Sequence, residues 1–411
     1  MAKTPFVWQE RWKGDFSCMF DVNTLDQRAG GGPSRFSPHD PGTGPLPGYQ
    51  SAAYYRSLIA EARSRWTVLP VRTICDSWLD PLPRQPASRG NGIALLCDPD
   101  DHAAPSDDRS NRYFRRLASR HGIRVEIIGP GDLPELSRFG ALWIRCHTSP
   151  RSLAYAFARH AEEMDLPVID DSAAILTCGN KIFTAERLAQ HAIPVPKSLI
   201  ISDSVSVAEI EAALTYPMVV KSPDGSFSKS VARADSRAAL EVIKSEMLNT
   251  SHLILLQEYM PTAFDWRIGL IGGEPLFACQ YRMVRGHWQI LKHREGKAPI
   301  EGPFRAIPLP DVPPPVLAAA IAASKAMGGG LHGVDIKETA RGVFVIEVND
   351  NPNLNHGIED RVEGALPWLK ILNWFQTEQL KRSGKDTAVM RAPVQHGRSA
   401  RLALPRLRNA S

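Results

Sequence analysis

The segment GVDIKETARGVFVIEVNDNPNL, residues 333–354, decides the fold because it predicts a hairpin with one acidic face and one apolar face. Side chains alternate between the two faces of a strand, so a turn centred on Arg341 places Asp335 directly opposite Glu347. Asn349 then shares the face of Glu347. The opposite face carries side chains that are predicted to be buried: Val334, Ile336, Phe344, Ile346 and Val348.

The two opposed carboxylates predict a cation site, since like charges at directly opposite strand positions destabilise the pair. Carboxylate and amide oxygens are hard ligands of the kind that Mg²⁺ or Mn²⁺ prefers, often beside substrate phosphates. The sequence therefore nominates Asp335, Glu347 and Asn349 as metal ligands. The alternative is an ordinary amphipathic hairpin with a solvated acidic face.

A second candidate element is the apolar strand Met218–Lys221, which ends in a lysine and is followed by a loop of small residues. A lysine at such a strand end can bind phosphate oxygens while backbone N–H groups of the loop surround them. Lys221, Ser226 and Ser228 are the candidates there, although the Walker A pattern is absent. A strand end with a flexible turn is the alternative. Lys181, at the start of a predicted helix, is a further basic candidate.

Three more segments carry weaker signals. The strand that ends in Gln257, Glu258 and Tyr259 could offer backbone groups to a planar base. In Asp265-Trp266-Arg267, strand parity places the acid and the arginine on one face, and a surface ion pair is the alternative to a functional role for them. An anionic substrate or a triphosphate would suit the cationic side chains further along, and a solvated charged face explains them equally well. These side chains are Arg282, Arg285, Lys292, His293, Arg294, Lys297 and Arg305.

The length of 411 residues predicts two or three structural units. Residues 1–88 form an N-terminal region with a loop-rich start. Residues 89–175 form an α/β unit with a mainly parallel sheet, because short apolar runs alternate there with helical stretches. Residues 176–378 are predicted to be α+β. Residues 379–411 are basic, lack apolar periodicity and are predicted to be a disordered tail.

Charge and composition exclude several function classes. From Lys381 onward the tail holds eight of the 49 basic residues and one of the 44 acidic residues, so the rest of the chain carries 41 and 43. That balance does not indicate a nucleic-acid binder. Six scattered cysteines without a C-x-x-C pair indicate a reducing compartment. No apolar stretch reaches about 18 residues and the start lacks a signal-peptide core, so we expect a cytoplasmic protein without a membrane segment.

The order of the candidate segments is more specific than any one of them. They are Asn180-Lys181, Ile193-Pro194-Val195-Pro196, Val219-Val220-Lys221, Gln257-Glu258-Tyr259, Asp265-x-Arg267, Asp335 and Glu347-Val348-Asn349. This order resembles the ATP-grasp superfamily, and within it the RimK-type carboxylate–amine ligases, over roughly residues 169–375. The resemblance implies an ATP-grasp fold of the α/β and α+β classes. It also implies a nucleotide between two α+β subdomains, a preceding α/β pre-domain and a short N-terminal region.

The resemblance further implies roles for individual residues. The nucleotide is bound by Lys181, Lys221, Ser226, Ser228, Gln257, Glu258, Tyr259 and Asp265. Within this set the lysines contact phosphates or adenine, Glu258 and Tyr259 frame the base, and Asp265 approaches the ribose. Asp335, Glu347 and Asn349 hold Mg²⁺ or Mn²⁺, with Glu347 bridging two ions. The catalytic candidates that meet the transferred phosphoryl group or the acyl phosphate are Arg282 and Lys292.

The implied function is that of an ATP-dependent ligase that joins a carboxylate to an amine through an acyl phosphate. The expected partners are small-molecule or peptide substrates, for example two amino acids or an amino acid and a peptide; an oligomer is left open. Ser228-Lys229-Ser230 replaces a more glycine-rich loop, which motivates the alternative of a non-catalytic ATP-binding regulatory or scaffold module. Asp350-Asn351-Pro352-Asn353 also departs from the family pattern, at the expected acceptor site. A third reading is nucleic-acid binding through the basic tail.

Overall fold

The computed structural model describes residues 16–18, 50, 52–63, 72, 75–76, 79, 90–102, 104–224, 230–294 and 297–382. Most of the predicted N-terminal loop, most of the basic tail, and the candidates Ser226 and Ser228 lie outside these ranges. None of the helices in the described ranges is long and apolar enough to cross a membrane. The division of the chain into units at residues 88, 175 and 378 stays a prediction.

The described residues form the following elements. The strands are β1 Phe16–Cys18, β2 Ile93–Leu96, β3 Val125–Ile128, β4 Ala141–Ile144, β5 Val168–Ile169, β6 Ser198–Ile201, β7 Met218–Lys221, β8 Val231–Ala234, β9 Ile254–Glu258, β10 Phe264–Ile271, β11 Glu274–Arg282, β12 Leu291–Arg294, β13 Lys297–Glu301, β14 Phe304–Ile307, β15 His332–Thr339 and β16 Gly342–Asp350. The helices are α1 Ala52–Arg63, α2 Asp108–Arg120, α3 Leu153–Glu163, α4 Ser172–Cys178, α5 Lys181–Gln190, α6 Val207–Ala213, α7 Arg237–Leu248, α8 Pro314–Ala326 and α9 Leu366–Arg382.

Strands β2 to β5 form a parallel sheet in the order β3-β2-β4-β5. Parallel strands need crossover connections, and α2 and α3 provide two of them. All four residues of β2 and of β4 are buried, as expected for the central strands of a sheet covered on both faces. The predicted α/β alternation in this part of the chain is confirmed.

A second sheet has the order β1-β6-β9-β7-β8, in which β1 is parallel to β6 and the other pairs are antiparallel. Its apolar core lies between the sheet and helices α6 and α7, with Leu199, Val220, Leu240 and Leu256 among the buried residues. Lys221 therefore lies at the end of a central strand of this small sheet.

A third sheet is antiparallel, in the order β14-β11-β10-β15-β16. One face packs on α8 through residues such as Ile268, Val334 and Val348. The other face carries Arg267 and Asp335, and further along the sheet Cys279 packs on α9. We call this second face the cleft face. It is the face on which the acidic residues of the hairpin were predicted to lie.

The hairpin β15–β16 confirms the opposition of Asp335 and Glu347, but by a different register from the predicted one. The turn is centred between Ala340 and Arg341, and Ile336 pairs with Val345, so that Ile346 is the extra residue of a β-bulge. The bulge restores the Asp335–Glu347 pair.

The bulge also corrects the predicted core face. Val334, Ile336 and Val348 are buried as expected. Val345 is buried as well, whereas Phe344 and Ile346 were predicted to be buried in its stead. Phe344 and Ile346 are only half-buried, and Phe344 pairs with Lys337 on the cleft face. The prediction for those two residues was wrong because strand alternation was carried through a position at which the strand is bulged.

The predicted strand Met218–Lys221 agrees with β7, and the helix predicted to start at Lys181 is α5. Helix α9, which was not predicted from the sequence, continues to Arg382, four residues into the stretch predicted to be a disordered tail. Among the elements that were not predicted are α4, α6, α7 and α9, and strands β8 and β12 to β14. Several of these are short or carry mixed polar and apolar residues, for which periodicity gives little signal.

Candidate active site

Asp335 and Arg267 form a bidentate ion pair on the cleft face. Arg267 Nε and Nη2 donate to Asp335 Oδ1 and Oδ2, both at 2.7 Å, in a bidentate arrangement. The two residues are directly paired across β10 and β15. Burial raises the pKa of Asp335, although the charge of Arg267 opposes this effect. The alternative of a surface ion pair between Asp265 and Arg267 does not hold, because Arg267 pairs with Asp335 and Asp265 pairs with Lys337.

Glu347 lies on β16, on the other side of Asp335, and its Oε1 is 3.4 Å from Lys181 Nζ. Burial acts to raise the pKa of Glu347, but the positive charges of Lys181, Lys221 and Arg267 outweigh it and hold the pKa below its usual value. Glu347 is thus an ionised carboxylate surrounded by cations. The like-charge argument for a metal ion is weaker than the sequence indicates, since protein cations already compensate both acids.

Asn349 completes the predicted ligand group. Its Nδ2 donates to Asp335 Oδ2 and to the Gly333 carbonyl, both at 3.2 Å. Because β15 lies between β10 and β16, Arg267 approaches Asp335 from the side opposite to Glu347. Two carboxylates and an amide are therefore gathered on one face, and this donor set fits Mg²⁺ or Mn²⁺. The assignment as metal ligands stays a prediction.

Lys221 faces the same group of residues from the small sheet, and only 7% of its surface is exposed. Burial is the main cause that lowers its pKa to about 8, and the neighbouring charges of Lys181 and Lys337 act in the same direction. No carboxylate of the described residues lies within ion-pair distance of its Nζ. A buried ammonium group of this kind is well placed to receive an anion.

Asp265 and Lys337 form a second pair on the cleft face. Lys337 Nζ donates to Asp265 Oδ1 at 2.5 Å and to Thr262 Oγ1 at 2.8 Å. Thr262 in turn donates to the same Asp265 oxygen at 2.8 Å. The sequence places Lys337 on the face of Asp335, but it does not show that Asp265 is its partner.

The three residues at the end of β9 have different surroundings. Gln257 is buried and its Nε2 donates to Ser198 Oγ at 2.9 Å, so its side chain joins two strands of the small sheet. Glu258 accepts a hydrogen bond from the Lys197 backbone at 2.9 Å and pairs with Arg341 at 2.8 Å. That pair links the small sheet to the turn of the hairpin.

Tyr259 lies at the point where the chain leaves the small sheet. The guanidinium of Arg233 lies 5.3 Å from the centre of its ring, and the ring of Trp288 packs edge-on at 6.0 Å. An aromatic ring and a guanidinium at the edge of the cleft form a surface on which a planar base can stack. The role of Tyr259 in binding a base stays a prediction.

The two catalytic candidates are less closely associated with the site. Arg282 is the exposed last residue of β11, and Lys292 is exposed on β12, in a two-stranded sheet with β13. Within the described ranges, neither side chain pairs with an acidic residue of the cleft face. Their roles stay predictions, as do those of Ser226 and Ser228, which lie outside the described residues.

Sequence reasoning missed how the loop after Lys221 is anchored. Asn180 Nδ2 donates to Asp224 Oδ1 at 2.8 Å, and the Lys181 backbone donates to the Pro223 carbonyl at 2.8 Å. The Asn180 side chain also caps α5 by accepting from two backbone N–H groups. An asparagine directly before a predicted helix indicates a helix cap, so this role of Asn180 can be read from the sequence. Its hydrogen bond to Asp224, which lies 44 residues further along the chain, cannot.

Comparison with known proteins identifies the family. The model of the RimK-like ATP-grasp domain matches residues 178–365. The α-aminoadipate–LysW ligase LysX of Saccharolobus solfataricus is 30% identical over 227 residues, which cover 51% of this chain and 78% of the relative. The chain belongs to the RimK-like ATP-grasp family. The ribosomal protein bS6–L-glutamate ligase of Shigella boydii, 28% identical, matches this RimK-like chain over 65% of its length and 91% of the relative.

Solved structures support the ATP-grasp fold. The D-alanine–D-alanine ligase from Bacillus anthracis matches with a TM-score of 0.57 and 13% identity, over 72% of this chain and 99% of that one. A RimK-domain ATP-grasp protein from Sphaerobacter thermophilus matches with a TM-score of 0.52 and 18% identity, over 69% and 98%. The predicted fold and family are confirmed. This RimK-like chain is an ATP-dependent carboxylate–amine ligase, an enzyme that forms a carbon–nitrogen bond.

Proposed function

We propose that this ligase activates the carboxylate of an amino acid or peptide as an acyl phosphate and transfers the acyl group to the amine of an amino acid. The observation that carries the proposal is the convergence of Lys181, Lys221 and Arg267 on Glu347 at the cleft face. Such an arrangement stabilises the charge that develops on a transferring phosphoryl group by position and electrostatics, without a protein nucleophile.

Each residue of the site then has a defined role in binding or catalysis. Lys221 and Lys181 bind phosphate oxygens of ATP. Asp335, Glu347 and Asn349 hold Mg²⁺, which supplies charge neutralisation when it is bound. Arg267 holds Asp335 in a fixed orientation through its two hydrogen bonds. The substrate carboxylate attacks the γ-phosphate, and the amine then displaces phosphate from the acyl carbon.

An acidic α-amino acid is the proposed substrate class. The names of two relatives contain α-aminoadipate and L-glutamate, both of which are acidic amino acids. In this chain the cationic segment runs from Arg282, at the end of β11, to Arg305 on β14; β11 pairs with β10 of the cleft sheet, and β14 pairs with β11. Its positive charge favours an anionic substrate.

The decisive experiment offers ATP, Mg²⁺ and the twenty L-amino acids to the purified chain, with and without hydroxylamine. An acyl phosphate is expected to give a hydroxamate with hydroxylamine and an amide without it, each with release of ADP, and mass spectrometry identifies both products. ATP binding without hydroxamate or amide would favour the non-catalytic module instead. Binding of nucleic acid that is lost on truncation after Leu380 would support the third alternative.

The lowered pKa of Lys221 predicts a pH dependence of ATP binding. The ammonium form is the one that attracts phosphate, and with a pKa of about 8 that form is largely present at pH 7 and largely lost at pH 9. We therefore expect ATP affinity to fall about tenfold as pH rises through 8. Isothermal titration at the two pH values measures this change.

Two variants serve as controls for the pH dependence. Lys221→Arg keeps its charge throughout this range and should bind with nearly equal affinity at both pH values. Lys221→Met should bind weakly at both. A wild-type affinity that is equal at pH 7 and pH 9 would contradict the role of Lys221 as a phosphate ligand of lowered pKa.

A further inference from the structure

The loop that follows Asn349 covers part of the cleft face beside the proposed metal site. Glu359 accepts a hydrogen bond from Tyr281 at 3.2 Å, and the guanidinium of Arg267 lies 5.3 Å from the centre of the Tyr281 ring. Arg267 in turn holds Asp335. A chain of contacts thus joins this loop to the acidic residues, so the loop forms a wall of the cleft.

The same loop carries a histidine–aspartate pair. His356 Nδ1 lies 2.7 Å from Asp360 Oδ2, and Asp360 is almost completely buried. Asp360 also accepts hydrogen bonds from Trp368 Nε1, at 2.8 Å, and from the Gly357 backbone. Asp360 is therefore an acceptor held in place by several donors, and the pairing requires that His356 Nδ1 carry a proton.

The histidine ring is fixed on its other sides as well. It stacks on Tyr113 of α2 with 3.7 Å between ring centres and 9° between planes. The His356 backbone donates to Ser110 Oγ at 2.8 Å. With Nδ1 protonated, the neutral ring presents Nε2 as an acceptor, and within the described residues Nε2 makes no hydrogen bond. About 29% of the side chain remains exposed, so this nitrogen is accessible.

The ligation reaction needs such an acceptor. An α-amino group has a pKa of about 8 in a peptide and a higher one in a free amino acid, so near neutral pH most of an amino acid acceptor is an ammonium ion without a lone pair for attack. We propose that His356 Nε2 accepts the proton of the bound ammonium group, and that Asp360 orients the ring and stabilises the resulting imidazolium. This inference rests on the proposed function and adds a general base to it.

The proton balance is complete with the groups present. The ammonium group gives one proton to His356 Nε2, which later releases it to water. The amine lone pair then forms the bond to the acyl carbon while the bond from that carbon to the phosphate oxygen breaks. The second proton leaves the nitrogen with the departing phosphate, which becomes hydrogen phosphate.

The groups that face His356 are compatible with this role. From α2 it stacks on Tyr113, and from α9 the neighbouring Trp368 is uncharged. From its own loop Asp360 pairs with it, while Glu359 accepts a hydrogen bond from Tyr281. Burial and the charge of Asp360 raise the pKa of Tyr113, although the charges of Arg116 and Arg120 on α2 oppose this effect, so this side chain stays a neutral phenol. Asp360 is then the charged group that stabilises a protonated His356.

The test compares two nucleophiles in the full-length protein. Hydroxylamine is unprotonated at neutral pH and needs no base, whereas an amino acid amine must lose a proton. We expect His356→Gln to form hydroxamate at the wild-type rate but to form amide about 100-fold more slowly at pH 7. The amide rate of the variant should recover as pH approaches 9. His121→Gln, an exposed histidine at the end of α2, is the matched control and should match wild type.

The possible outcomes separate the two proposals. Equal amide rates for His356→Gln and wild type, or a loss of hydroxamate and amide together, would overturn the inference and leave the ligase assignment intact. A wild-type protein that forms neither product contradicts the proposed function itself. Asp360→Asn, which keeps the size of the side chain, should show the same split and pH recovery as His356→Gln. Near-ultraviolet circular dichroism verifies that each variant is folded.

Discussion

Glu347→Gln is expected to lower the rate of ATP-dependent ligation by about 100-fold or more, while ATP binding and the fold are retained. Glu347 is the ionised carboxylate that pairs with Lys181 and lies opposite Asp335. A neutral amide of the same size keeps the packing of β16 but is a poorer ligand for Mg²⁺. Since the surrounding cations remain, phosphate binding should persist.

The measurement is steady-state ADP release, with ATP affinity determined separately by titration calorimetry. Glu241→Gln, an exposed change on α7, is the matched control and should leave both quantities unchanged. Unchanged turnover in Glu347→Gln counts decisively against the metal assignment. A joint loss of turnover and of cooperative thermal unfolding would indicate that Glu347 mainly stabilises the hairpin.

The second large effect is expected on stability. Arg145 is completely buried at the end of β4, and its guanidinium binds four acceptors from two separate parts of the chain. It donates to Ser106 Oγ at 2.7 Å, the Pro105 carbonyl at 2.9 Å, Asn351 Oδ1 at 2.6 Å and the Pro352 carbonyl at 3.0 Å. Burial lowers its pKa to about 10, so the side chain is still charged at neutral pH.

Arg145→Leu should therefore lower the free energy of unfolding by about 3–5 kcal/mol, because it leaves several buried acceptors without donors. The shift of the urea midpoint measures this loss. Arg145→Lys retains a charge but not the planar fork, so an intermediate loss is expected. Arg116→Leu, on the exposed face of α2, should change the free energy of unfolding by less than about 0.5 kcal/mol. Equal midpoints for Arg145→Leu and Arg116→Leu would contradict the argument.

How far sequence predicts this fold depends on the range of the interactions involved. The alternation of strands and helices over residues 93–169 was predictable because each element buries a continuous apolar run of its own. The order of motifs from Lys181 to Asn349 was sufficient to identify the family. The proximity of Asn180 to Asp224, or of Glu359 to Tyr281, was not predictable, because strand parity says nothing about residues on elements distant in sequence.

The hairpin shows a local failure of the same reasoning. Alternation over residues 342–350 contains no sign of the extra residue at Ile346, because Val345, Ile346 and Val348 are equally apolar. The opposition of the two acids was nevertheless correct, because the error in the turn and the omission of the bulge cancelled. The grouping of Asp335, Glu347 and Asn349 on one face was therefore predictable from the sequence. The ion pairs of Arg267 and Lys337 were not, since only the strand order β10-β15-β16 reveals their partners.

The bulge at Ile346 has a consequence for the evolution and engineering of this enzyme. It separates the segment that bears Glu347 and Asn349 from the tip of the hairpin, where Gly342 adopts a positive φ of 126° in open space. Residues inserted at or removed from the tip in pairs would lengthen or shorten the ribbon without rotating the carboxylates away from the cleft. Peptide tags, reporter loops or lineage-specific extensions should accordingly be accommodated at residues 340–342, whereas a single residue inserted after Glu347 should turn Asn349 away from the cleft face.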